Sequence, residues 1–119
     1  MRFWMSAYAL FGAGMIAPIV LVAGCHSGPA LTEQEAAGKH LYLVRCAHCH
    51  EENDLALKKV PPDLHSLFKS AILPGGAPAN DAQVRQVVRE GKGLMPAFNG
   101  RFTDEQMAAL LAYLHTGLR

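Results

Sequence analysis

A chain of 119 residues with a formal net charge of +1 has room for one small domain and carries no large basic excess. It is too short for a TIM barrel or a two-domain enzyme, and its charge is not that of a nucleic-acid binder. A hydrophobic content of 50% excludes a disordered chain, and three cysteines, an odd number, cannot all sit in internal disulfides.

After Arg2, residues 3–24 contain no Asp, Glu, Lys or Arg and end in small residues before Cys25. A positive start, an apolar stretch and small residues form the layout of a secretory signal. The uncharged run is also long enough for an uncleaved membrane anchor, which needs about 20 residues. Val22-Ala23-Gly24-Cys25 resembles a bacterial lipobox, which implies cleavage before Cys25 and a diacylglycerol on its sulfur. Either way the remainder is expected to be exported, tethered to a bilayer and facing the periplasm or cell exterior. The expected division is a signal or anchor over 1–24, a tether over 25–31 and a domain over 32–119. His26 to Leu31 reach at most ~20 Å when extended, which keeps the domain close to the membrane.

Thr32-Glu33-Gln34-Glu35 has the capping-box pattern and predicts a helix over 33–45, with Ala37, Leu41 and Val44 spaced for one face. Gly38 inside it costs up to ~1 kcal/mol relative to Ala and invites a closely crossing helix. Residues 51–63 lack a period and hold Pro61-Pro62, which reads as a loop. A short helix is expected over 64–70 and a turn-rich connector over 73–80. Asn80 or Asp81 then caps a helix running through Glu90, with Val84, Val87 and Val88 on one face and Gly91 as its stop. Residues 91–102 read as loop. Thr103-Asp104-Glu105-Gln106 opens a last helix to about His115, lined by Met107, Leu110, Leu111 and Leu114, with Gly117 beyond. No segment reads as a strand, so the domain is expected to be all-α.

Cys46-Ala47-His48-Cys49-His50 is the C-x-x-C-H pattern of covalent c-type haem attachment. Two thiols three positions apart can add to the two vinyl groups at one porphyrin edge, and the adjacent His50 can supply imidazole to the iron. One haem c is the cofactor this implies. The cysteines are then accounted for: Cys25 for lipid, Cys46 and Cys49 for haem. A thioredoxin-type dithiol would need a βαβ pattern, which is missing. A zinc site would have to recruit His48, His50 or His65, since no second cysteine pair exists. The opposite iron ligand is assigned to Met95 in Gly93-Leu94-Met95-Pro96-Ala97-Phe98, where Pro96 restricts the backbone of Met95. Met107 reads as core, and His40, His65 and His115 as surface or interface residues.

With C-x-x-C-H near the start of the domain and a Met-Pro loop before its last helix, residues 32–118 resemble class I c-type cytochromes. The resemblance implies three to four helices around one covalently attached haem. It implies that Gly38 and Tyr42 cross the last helix near Leu110 and Tyr113. Pro62-Asp63-Leu64-His65 is similar to the family's Pro-x-Leu segment, which implies that the Pro62 carbonyl accepts a hydrogen bond from His50 and that Leu64 packs on the haem. Pro61 departs from the glycine common there. No Trp follows residue 24 to reach a propionate, leaving Arg101, Lys58 and Lys59 as substitutes. Over residues 81–101, Arg85, Arg89, Lys92 and Arg101 stand against Asp81 and Glu90, a surplus that would suit an acidic redox partner.

The expected function is therefore a membrane-tethered monohaem cytochrome c that carries single electrons between redox proteins. It is not an enzyme and uses no nucleic acid and no small-molecule substrate. The alternatives are a haem protein with an open sixth site, for gas sensing or peroxide chemistry, and a cytochrome subunit fixed in a larger oxidoreductase.

Overall fold

A computed structural model describes residues 28–119; the signal, anchor and lipidation readings on residues 1–27 lie outside them. The elements in chain order are α1 (Glu33–Arg45), α2 (Ala47–His50), a 3-10 turn (Leu67–Lys69), α3 (Asp81–Glu90) and α4 (Asp104–His115). Among the described residues there is no strand, only the isolated bridges Ile72–Pro78 and Lys92–Met95. No helix among them is long and apolar enough to cross a membrane.

The helix starts follow from the sequence because local side chains satisfy the free N–H groups of each first turn. In α1, Thr32 Oγ1 accepts from the Glu35 amide at 3.2 Å while Glu35 Oε2 accepts from the Thr32 amide at 2.7 Å. In α4, Thr103 and Gln106 exchange the same two bonds at 3.2 and 2.9 Å. Asn80 Oδ1 accepts from the Gln83 amide at 3.0 Å and starts α3. Gly91 ends α3, its N–H donating to the Val87 carbonyl at 2.8 Å. The expected helix over 64–70 is reduced to the three-residue 3-10 turn, a length on which no amphipathic face can build.

The central helix is α4, with Met107, Ala109, Leu110, Leu111, Tyr113 and Leu114 all buried, because α1, α3 and the 3-10 turn cover it from different sides. On α1 the buried stripe is Gly38 and Tyr42, not the expected Ala37, Leu41 and Val44, and Val44 stays 52% exposed. Gly38 causes this shift. A Cβ there would lie 1.9 Å from the Ala109 carbonyl oxygen and 2.9 Å from Tyr113 Cβ. The crossing is therefore centred on Ala109 and Tyr113, one residue from the expected Leu110. Tyr42 then packs on Tyr113, with ring centroids 5.6 Å apart and tilted by 58°. The Tyr42 hydroxyl is buried without a hydrogen-bond partner. Burial pushes the phenol well above its ordinary range, and the nearby Glu51 carboxylate adds to this. Met107 is core, as its place on the apolar face implies.

His115 ties three elements together at the end of α4. Its Nε2 lies 2.7 Å from Asp81 Oδ1 at the start of α3, and its ring stacks on Phe68 of the 3-10 turn at 3.8 Å.

Candidate functional site

The cysteine pair sits where α1 ends. Cys46 closes α1 through its N–H to the Tyr42 carbonyl at 2.8 Å, and its own carbonyl accepts from Cys49 and His50 at 3.1 and 3.0 Å. The one-turn helix α2 that results brings the two cysteines to the same side of a single turn. Both are half-buried. Burial, aided by the neighbouring Cys49, pushes the Cys46 thiol up to about 11, so it is protonated at neutral pH.

The next loop folds back on α2. The Asp54 amide donates to the His48 carbonyl at 2.8 Å, and Asn53, at a positive φ of 45°, bonds the Leu57 amide through its side chain at 3.0 Å. The returning chain carries Pro62 to His50. His50 Nδ1 lies 2.8 Å from the Pro62 carbonyl oxygen. A carbonyl can only accept, so Nδ1 carries the proton and Nε2 is left with its lone pair. Two residues on, Leu64 is half-buried against the core. On the surface the His65 amide donates to Asp63 Oδ1 at 2.9 Å and the His65 ring pairs with it at 2.6 Å, and in that order they hold the Asp63 carboxyl below its usual range.

Met95 lies on the loop after α3 and is half-buried against the core with Phe98 and Phe102. The loop is built tightly. Lys92 and Met95 exchange both backbone bonds at 3.1 and 3.0 Å, and the Phe98 and Asn99 amides donate to Val88 and Arg89 carbonyls of α3 at 3.0 Å each. Phe98 and Phe102 stack at 5.4 Å with nearly parallel rings. The sequence named Met95 and Pro96 but not the anchoring to α3; the glycines at 91 and 93, both at positive φ, were its one local signal.

Arg101, Lys58 and Lys59 are exposed. Arg89 is engaged with Asp104 at 2.7 Å, which reduces the free charge of the basic segment. His40 is exposed, and among the described residues no cluster of three or more His, Cys, Asp or Glu could hold a bare metal ion. The donors that are present are two thiols, one imidazole nitrogen with a fixed tautomer and one thioether. Cys46, Leu64, Phe68, Met95 and Phe98 are all half-buried and pack against the same hydrophobic core. That set fits an iron carried inside an apolar ring joined to the chain through sulfur, and it does not fit a zinc ion.

Comparison with known proteins agrees with this chemistry. A family model described as cytochrome C oxidase, cbb3-type, subunit III matches residues 33–114. The chain is 37% identical to a cytochrome c6 of Tetradesmus obliquus over 83 residues, 67% of this chain and 86% of that relative. It is 32% identical to a cytochrome c6 of Picosynechococcus over 89 residues, 72% of this chain and 75% of that relative. A cytochrome c6 of Nostoc is 31% identical over 96 residues, covering 81% of this chain and 82% of that relative. No solved structure matches the chain.

Proposed function

The chain belongs to the class I monohaem c-type cytochromes, and from that premise we propose that Cys46 and Cys49 hold its haem, that His50 and Met95 ligate the iron, and that the protein carries electrons while tethered to a membrane on the exported side. One covalently bound haem c is the cofactor, redox proteins are the partners, and the chain is an electron carrier and not an enzyme.

When bound, the haem supplies a one-electron iron couple. The chain's residues hold and tune it. Cys46, at the start of α2, and Cys49, within it, would hold the ring through thioether bonds made from their thiols and its vinyl groups. The Pro62 carbonyl keeps the proton of His50 on Nδ1, which orients the ring and raises the basicity of Nε2. Met95 offers a soft thioether that favours the ferrous state, and the apolar surround disfavours the extra ferric charge. A fairly high reduction potential follows, with the same two ligands in both states. The single observation that carries this reading is the 2.8 Å contact between His50 Nδ1 and the Pro62 carbonyl, which leaves one nitrogen free to bind metal directly after C-x-x-C.

The test is to add carbon monoxide to the reduced holoprotein. A Soret band that does not move means a closed six-coordinate iron; a prompt shift means that Met95 is not a firm ligand and that the open-site alternative takes over. The tether rests on the uncharged residues 3–24 and on Cys25. Mass spectrometry of the membrane fraction is expected to show a diacylglycerol-bearing Cys25 terminus, and an intact Met1 would refute lipidation. The description of the matched family favours a second reading, a cytochrome fixed to an oxidase. Co-purification with an oxidase at constant stoichiometry would select it over a free carrier.

A further inference from the structure

We propose that Gly91 is the positioning residue for Met95: the space left by its missing side chain is what the Met95–Ala97 backbone occupies, and the Met95 sulfur is held on the iron only while no side chain competes for that space. The inference rests on Met95 being an iron ligand and adds the residue that makes it a firm one.

Two independent features of Gly91 carry it. Its φ of 73° and ψ of 174° lie in a region that residues other than glycine scarcely enter. A Cβ built there would lie 2.5 Å from the Met95 carbonyl oxygen, 2.9 Å from the Pro96 carbonyl carbon and 2.8 Å from the Ala97 amide nitrogen. All three are backbone atoms of the ligand loop, so no side-chain rotation relieves them. Gly91 itself cannot retreat easily, because its N–H closes α3 on the Val87 carbonyl. The loop is fixed downstream as well, by Phe98 on Val88 and Asn99 on Arg89. A methyl at 91 therefore pushes the segment between two anchors, and Met95 is at its centre. Gly93 provides the comparison within the same loop. Its φ is 59°, yet a Cβ there meets nothing within 4 Å.

The experiment compares unsubstituted holoprotein, Gly91→Ala and Gly93→Ala. The readouts are the sulfur-to-iron charge-transfer band of the ferric form, carbon monoxide binding to the ferrous form, and far-ultraviolet circular dichroism to establish folding. The unsubstituted protein and Gly93→Ala are expected to show the band. Folded Gly91→Ala is expected to lose most of it and to bind carbon monoxide about tenfold faster or more, the size of effect that backbone strain of this kind produces. Folded Gly91→Ala with an undiminished band and unchanged carbon monoxide kinetics would overturn the inference alone. Absence of the band already in the unsubstituted protein would overturn the Met95 reading and the inference with it. If Gly91→Ala yields no holoprotein, it is combined with Pro96→Ala, which loosens the backbone that the methyl meets, and compared with Pro96→Ala alone. A double variant that lacks the band where Pro96→Ala alone keeps it supports the inference; one that matches Pro96→Ala alone, or yields no holoprotein, overturns it.

Discussion

Replacing Gly38 with alanine sets two effects of opposite sign against each other. Inside a helix alanine is favoured over glycine by about 1 kcal/mol, so the isolated α1 segment gains helicity. In the folded domain the new methyl would stand 1.9 Å from the Ala109 carbonyl oxygen and 2.6 Å from its carbon. Reaching an ordinary contact near ~3.4 Å would require α1 and α4 to part by about 1.5 Å at their crossing. Neither side of the contact is a flexible tip: one is helix backbone, and the other is a Cβ fixed to helix backbone. Overpacking of this kind costs about 1–3 kcal/mol, and separating the helices also loosens the Tyr42–Tyr113 contact beside it. The clash is severe enough to put the cost at the upper end, which leaves a net loss of about 2 kcal/mol. For a domain of this size that lowers the melting temperature by about 8–16 °C. Thermal unfolding of the holoprotein, followed by circular dichroism at 222 nm, measures it. A Gly38→Ala protein that melts at or above the unsubstituted temperature would show that helix propensity dominates and would refute a tight α1–α4 crossing.

Thr103→Ala removes the hydroxyl that accepts from the Gln106 amide at the start of the buried helix α4. It is expected to cost about 1 kcal/mol and roughly 4–8 °C in melting temperature, with the visible spectrum unchanged and Thr103→Ser close to normal. Glu35 gives a pH dependence with a definite sign. The Thr32 backbone amide, and then the Thr32 side chain, hold its carboxyl below the ordinary 4.5. Its contribution is therefore complete above that value and is lost as pH falls through the lowered one. Melting curves of Glu35→Gln, which keeps an acceptor for the cap, are expected to run parallel to the unsubstituted protein above pH 4.5 and to fall less steeply below it. Parallel curves throughout the acid range would refute the linkage.

Local chemistry settled much of this protein in the sequence itself. Helix starts at Thr32, Asn80 and Thr103 and the stop at Gly91 need only a neighbour within four residues, so each was legible where it stands. The C-x-x-C-H run was legible for the same reason, since covalent attachment depends on spacing within one turn. The tertiary structure decided what depends on distant segments meeting. Hydrophobic spacing on α1 pointed to Ala37, Leu41 and Val44, yet Gly38 and Tyr42 face the core. The crossing is chosen by the absence of a side chain, which a hydrophobic pattern does not register. The acceptor for His50, Pro62, was named only through the family resemblance, because it lies twelve residues away and depends on a loop folding back through Asn53 and Asp54. The firmness of the Met95 loop depends on backbone bonds to α3 and on the space at Gly91. Short-range hydrogen bonds are written in consecutive residues, whereas close approach of two backbones is a property of the pair and exists only once both are in place.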